Sequence, residues 1–130
     1  MSTRATGTFV VRLTPQPPQG DPASATHGRL SIDKTFVGDL DATSQGEMLT
    51  AGTAVNGSAG YVAIEKVTGT LHGKSGTFIL QHSGTMNRGD AQLSVTVVPD
   101  SGTGDLAGLS GRMNIVIAAG THSYEFDYSL

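Results

Sequence analysis

The sequence predicts an all-β fold, an eight-stranded antiparallel β-barrel built by one domain over residues 1–130. Three observations carry this. Apolar and polar residues alternate along most of the chain, and turn signals recur about every 8 to 12 residues, the pattern of a barrel or sandwich. The composition, with 18 glycines, 15% charged and 37% hydrophobic residues, suits neither a long surface helix nor a coiled coil. Eight short strands in so small a domain also leave edges to be managed, and closure removes them. A sandwich is the second architecture.

The first strand spans 7–14, with Phe9, Val11 and Leu13 alternating against Thr8, Val10 and Arg12. A proline-rich loop over 15–24 follows, because proline gives a ladder no N–H. Its PxxP-like spacing reads more simply as a stiff connector than as a ligand for a proline-recognition domain. Further strands are expected at 27–37, 39–51, 58–71, 75–87, 91–98, 111–118 and 121–130. The stretch Asp105–Gly111 is too short and too glycine-broken for more than a turn of 3₁₀ helix.

Turn chemistry fixes the expected registers. A turn centred on Gly73-Lys74 sets Glu65 opposite His82, Tyr61 opposite Met86, Val67 opposite Leu80 and Gly69 opposite Phe78. A turn at Arg88-Gly89 sets His82 opposite Val95, Leu80 opposite Val97 and Gly84 opposite Leu93. One face then collects Tyr61, Ala63, Val67, Phe78, Leu80, Met86, Leu93, Val95 and Val97, a set that a one-residue slip would scatter. The last hairpin, turning at Ala119-Gly120, puts Met113–Phe126, Ile115–Tyr124 and Ile117–His122 inside. It leaves Arg112–Asp127 as an opposite-charge pair outside.

Several function classes fall away. The net charge is −3, from 8 basic against 11 acidic residues, and no basic stripe exists, so nucleic acid is not an expected partner. No apolar run approaches a membrane-spanning length, and no signal core follows Arg4, so a soluble, cytoplasmic protein without a membrane partner is expected. Zero cysteines exclude disulfides, thiolate nucleophiles and Cys-ligated metals. His27, His72, His82 and His122 occur singly, without spacing that would converge on a metal, so neither metal nor cofactor is expected. The stretch Gly69–Ser75 is one residue short of a phosphate loop and leads into a strand rather than a helix. Asn56-Gly57-Ser58 reads as a turn, and no Gly-x-Ser-x-Gly elbow supports a serine hydrolase.

Two groups do not belong in a plain core: Glu65 and His82. A buried carboxylate needs a partner. The pair serves either as a catalytic acid/base unit, the carboxylate orienting the imidazole, or as a half-solvated structural pair at the rim. Tyr61, Phe78, Leu80, Met86, Val95, Ile115 and Tyr124 are the candidate ligand-binding residues of the lumen. For Tyr61 and Tyr124 the competing reading is packing, with each hydroxyl bonded to backbone. The facing of Glu47 is open, a solvated side chain being the simpler case, and His122 is expected half exposed beside the last turn.

The string Gly102-Thr103-Gly104-Asp105-Leu106-Ala107-Gly108-Leu109-Ser110-Gly111 resembles the glycine motif shared by plant allene oxide cyclases and dirigent proteins, which are eight-stranded antiparallel barrels. Ser31–Phe36, Gly46–Thr50, Gly60–Glu65 and Leu80–Asn87 resemble an uncharacterised bacterial family with that barrel. The resemblance implies the fold. It carries over no catalytic residue, since Leu106 replaces the aromatic residue that the plant proteins prefer and no cysteine matches one in the cyclase pocket.

Three functions stay open. The barrel is a cofactor-free cyclase or isomerase holding a small apolar molecule in one reactive conformation. Alternatively it binds a lipid or metabolite without chemistry, or it is a structural protein with a filled lumen. The outward set Val62, Ile64 and Ile79 is too apolar for a comfortable monomer and predicts a symmetric homo-oligomer, most simply a dimer. Sedimentation at micromolar concentration should show at least twice the monomer mass.

Overall fold

Strand-length alternation and tight turns do build a closed barrel. The computed structural model describes residues 2–17 and 27–130. Its strands are β1 (Thr3–Gln16), β2 (Gly28–Gly38), β3 (Leu40–Gly52), β4 (Ala59–Leu71), β5 (Lys74–Asn87), β6 (Asp90–Val97), β7 (Ser110–Ala118) and β8 (Thr121–Ser129). One 3₁₀ turn, Gly104–Leu106, lies between β6 and β7 where no more than that was expected. The strands pair in sequential order, all antiparallel, and β8 returns to β1.

β1 begins earlier than expected because its first residues close the barrel against β8, Thr3 opposite Tyr128 through Phe9 opposite His122. Arg4 there grips Asp127 at 2.8 and 3.0 Å and reaches Glu125 at 3.4 Å. Arg112 does lie opposite Asp127, but the carboxylate's ion pair is with Arg4. β1 also runs further, taking in Pro15 opposite Leu30 and Gln16 opposite Arg29. Proline is tolerated because β8 has ended by that level, so one side of β1 has no ladder to feed. The rest of the expected proline-rich loop, 18–24, lies outside the described residues.

The β5–β6 and β7–β8 registers are the expected ones, with His82 opposite Val95 and Ile115 opposite Tyr124. The β4–β5 register differs. The turn sits on His72-Gly73, with φ of 46° and 79°, so Leu71 faces Lys74. Two successive positive φ values make a type I′ turn, whose twist matches that of the strands. Moving the turn by one residue shifts pairing by two, which changes every partner and no facing. Glu65 therefore lies opposite Leu80, His82 opposite Ala63, Tyr61 opposite Gly84, Val67 opposite Phe78 and Gly69 opposite Gly76.

The two ends of the lumen differ. At the end holding the β2–β3 and β4–β5 turns, Leu40, Leu71, Phe78, Phe126 and Tyr128 pack together, with Phe78 and Phe126 stacked at 5.8 Å. The segment after β6 plugs this end with Leu106 and Leu109. Its glycine motif is a packing device: a Cβ at Gly102 would fall 1.9 Å from the Leu106 carbonyl oxygen. Thr103 ties the plug to β5 by donating its N–H to the Thr77 carbonyl at 2.8 Å. Leu106→Ala should lower the unfolding free energy by about 2–5 kcal/mol, read from chemical denaturation, because the Leu106 side chain is fully buried.

Candidate functional site

Glu65 is completely buried at the middle of β4, facing inward between Ala63 and Val67. Three other strands supply its partners. Lys34 of β2 donates from Nζ to Oε2 at 2.7 Å, Ser44 of β3 donates from Oγ to Oε1 at 2.9 Å, and His82 Nε2 of β5 meets Oε2 at 2.7 Å. Glu65 and His82 are thus diagonal neighbours rather than directly opposed, and still within hydrogen-bond reach. Their shared facing survives the register change because that change is even.

Burial alone would push the Glu65 carboxyl up. The hydrogen bond from His82 and the charge of Lys34 outweigh it and hold the carboxyl at about 2, against an ordinary 4.5. Lys34 is itself buried, with Nζ 4.9 Å from the centre of the Phe9 ring and 5.8 Å from that of Phe36. These ring faces offer a desolvated cation a second kind of partner. Every described buried side-chain nitrogen and oxygen is hydrogen-bonded.

Lys34 and Ser44 were missed in the sequence. The signal lay in β2, where the alternation Ile32, Lys34, Phe36 puts a lysine in the inward phase. Ser44, between the buried Ala42 and the half-buried Gly46 on β3, gave only a weak sign.

Above the cluster the lumen opens. Toward the β5–β6 and β7–β8 turns the inward-facing residues become accessible: Leu13, Met86, Leu93 and Ile117 are 43%, 44%, 46% and 66% exposed. Leu30, Met48, Tyr61 and Ile115 there are half-buried. Leu93 and Ile117 flank a loose seam, for among the described residues β6 and β7 pair at Thr96 with Arg112 alone. The result is an apolar mouth above a buried, charged and hydrogen-bonded cluster. Tyr61 joins the two. Its ring lies over Gly84, where a Cβ would come within 2.5 Å of Cε1, and its hydroxyl stands 3.3 Å from His82 Nδ1. Burial first, and the Glu65 charge second, push the Tyr61 phenol up.

The expected lumen residues divide accordingly. Tyr61, Met86 and Ile115 line the mouth; Phe78, Leu80 and Val95 are sealed in the core. Tyr124 sits away from the cluster. Its hydroxyl accepts from the Leu40 N–H at 2.9 Å and donates to the Val37 carbonyl at 3.0 Å, so it staples the β2–β3 turn and does not join His82. Glu47 faces outward in an ion pair with Arg29 at 2.6 Å. His122 is half-buried against the Phe9 ring, 5.2 Å between centroids.

A groove of about 720 Å³ crosses the outer wall of β2–β5, lined by Arg29, Glu47, Leu49, Val62, Ile64 and Gln81. Glu47, Ile64 and Gln81 stand level on adjacent strands, as do Leu49 and Val62, and all five face away from the lumen. Ala63 and His82 also border this groove, although the His82 side chain is turned inward to Glu65 and Tyr61.

Fold and site together define a closed antiparallel barrel with a plugged end, an apolar mouth and a buried Lys–Glu–His cluster between them. The chain belongs to the family described as "Protein of unknown function (DUF3224)", whose pattern it matches over residues 5–128. It is similar to a protein of unknown function from the same family of Shewanella oneidensis MR-1, known from a crystal structure. The two share 51% identity, with 100% of this chain and 98% of that one covered and a TM-score of 0.93. No curated protein matches the chain.

The depressed Glu65 carboxyl gives stability a direction with pH. A carboxyl lower in the folded than in the unfolded chain stabilises fully above its unfolded value and loses that effect as pH falls through its folded one. The Glu65 contribution should therefore be intact above about pH 5 and fade toward pH 2. A carboxyl held at about 2 against an ordinary 4.5 is worth on the order of 3 kcal/mol. Wild type and Glu65→Gln, compared by urea titration, should converge by up to that amount across the window.

Proposed function

We propose that the protein is a small-molecule barrel that receives an apolar ligand through its open mouth and works on it, without a cofactor, as an isomerase or cyclase. The observation that carries the reading is the mouth itself. Inward-phase Leu13, Met86, Leu93 and Ile117 stay accessible to solvent directly above a neutralised charged cluster. A core built only for stability has no use for apolar residues left wet, and a buried Lys–Glu–His set is costly where packed hydrophobic residues would serve. Concave, mostly apolar sites with a few convergent polar groups are what ligand pockets look like. The likeness of Gly102–Gly111 to the glycine motif of allene oxide cyclases and dirigent proteins supports the same class, on fold analogy alone.

Two further parts belong to this reading. The outer wall carries ion pairs at Arg4–Asp127 and Arg29–Glu47, and the inward face is mainly apolar, which supports a water-dissolved barrel rather than a lipid-facing one. Leu49, Val62 and Ile64, at 41%, 52% and 50% exposure, form an outer apolar strip that supports association of like chains.

The fluorescent amphiphile 1-anilinonaphthalene-8-sulfonate tests the mouth. Saturable, stoichiometric binding is expected, weakened at least about tenfold by Ile117→Asp at the exposed rim and left nearly unchanged by Val62→Asp on the outer wall. Binding that follows Val62 instead, or none at all, would overturn the proposal.

A further inference from the structure

Resting on that reading, we infer that the mouth takes unsaturated carbonyl compounds, with His82 Nδ1 as the base and the Tyr61 hydroxyl as the donor to the substrate's oxygen. Proton positions in the cluster lead there. The Lys34 ammonium can only donate, and it donates to Glu65 Oε2. Ser44 donates to Oε1. Glu65 is thus an ionised acceptor on both oxygens, so the His82 nitrogen that meets it, Nε2, carries the proton. The other ring nitrogen, Nδ1, is left with its lone pair. Since Lys34 already balances Glu65, an uncharged imidazole keeps the cluster neutral.

Nδ1 is the part of the cluster turned toward the mouth. Its neighbour is the Tyr61 hydroxyl at 3.3 Å, a long contact for O–H···N, which an incoming group can replace at small cost. Glu65 itself is poorly placed to act as base, because both its oxygens are already engaged by donors. Its role is to position His82 and to stabilise the imidazolium that forms, as the carboxylate does in a Ser-His-Asp triad.

A lone pair beside a neutral hydroxyl donor, under apolar walls, suits one kind of step. With the carbonyl oxygen of a β,γ-unsaturated ketone on Tyr61, its α-carbon comes beside Nδ1. Nδ1 takes the α-proton, and the C–H bonding pair becomes the new double bond of a dienolate whose oxygen accepts the Tyr61 hydrogen bond. The proton then returns from Nδ1 to the γ-carbon, the electron pair restores the carbonyl, and the α,β-unsaturated isomer leaves. Nothing is oxidised or reduced, and the protein ends as it began. Burial keeps the phenol protonated, as a donor must be.

The experiment uses the whole protein and a graded series of β,γ-unsaturated ketones, cyclic to long-chain, in D₂O. Proton NMR follows deuterium entry and the double-bond shift, and the naphthalene sulfonate reports occupancy by competition. For at least one member the expected rate is about 10²–10⁴ above buffer. His82→Gln should abolish it. Tyr61→Phe, at the half-buried rim and so safe for folding, should lower kcat about 10²–10³-fold with KM little changed. Nitrogen-15 spectra should show His82 as the Nε2–H tautomer in wild type and in Tyr61→Phe alike. An Nδ1–H tautomer, ketones that displace the probe without exchange, or a probe that binds while no ketone competes would each overturn the inference and leave the binding reading standing. Failure of the probe itself to bind would remove both.

Discussion

One buried negative charge organises this barrel. Glu65 sits in the wall of β4 with no access to water, and the cost of that burial is met by donors from β2, β3 and β5. Four strands are tied to a single carboxylate. Any slip of one residue would turn Lys34, Ser44 or His82 outward and strand the charge, so the cluster acts on register as well as on chemistry. It also separates the lumen into a sealed half built of Phe78, Phe126, Leu106 and their neighbours and a half-solvated one above.

That asymmetry connects packing to what the protein can do. Aromatic stacking and the glycine-dense plug concentrate stability at one end, so the other can carry wet leucine, methionine and isoleucine. The polar floor then lies where water meets a low-dielectric interior, and an ionised carboxylate has its strongest influence on a neighbouring proton there. Tyr61 needs Gly84 beneath it to lie flat across the strand pair, so the hydroxyl that meets His82 depends on the absence of a methyl group on the next strand.

Much of this was legible in the residues. Alternation gave the eight strands, and the Arg88-Gly89 and Ala119-Gly120 turns gave two hairpins to the residue. The His72-Gly73 turn was placed one residue late, since both dipeptides around Gly73 satisfy a glycine-based rule and only the φ pair tells them apart. Because such an error moves pairing by two, Glu65 and His82 were still found on one face. Lys34 escaped notice for another reason. A lysine reads as solvated unless its strand's phase is trusted over its chemistry, and its partner lies 31 residues away on a strand not adjacent to its own. The exposure of Ile117 also could not be read, since alternation reports facing and not whether the neighbouring strand stays close.

The thin β6–β7 seam bears on more than access to the mouth. Thr96 with Arg112 is the one paired position given there among the described residues, whereas β4 and β5 pair along their whole lengths. In mechanical terms the molecule is a rolled sheet latched at one end by its plug, not a uniformly hooped cylinder. Released from that latch, β6 and β7 would each present a row of free amides and carbonyls, the template on which other chains add strands. The glycines that let the plug lie so close therefore also guard against aggregation.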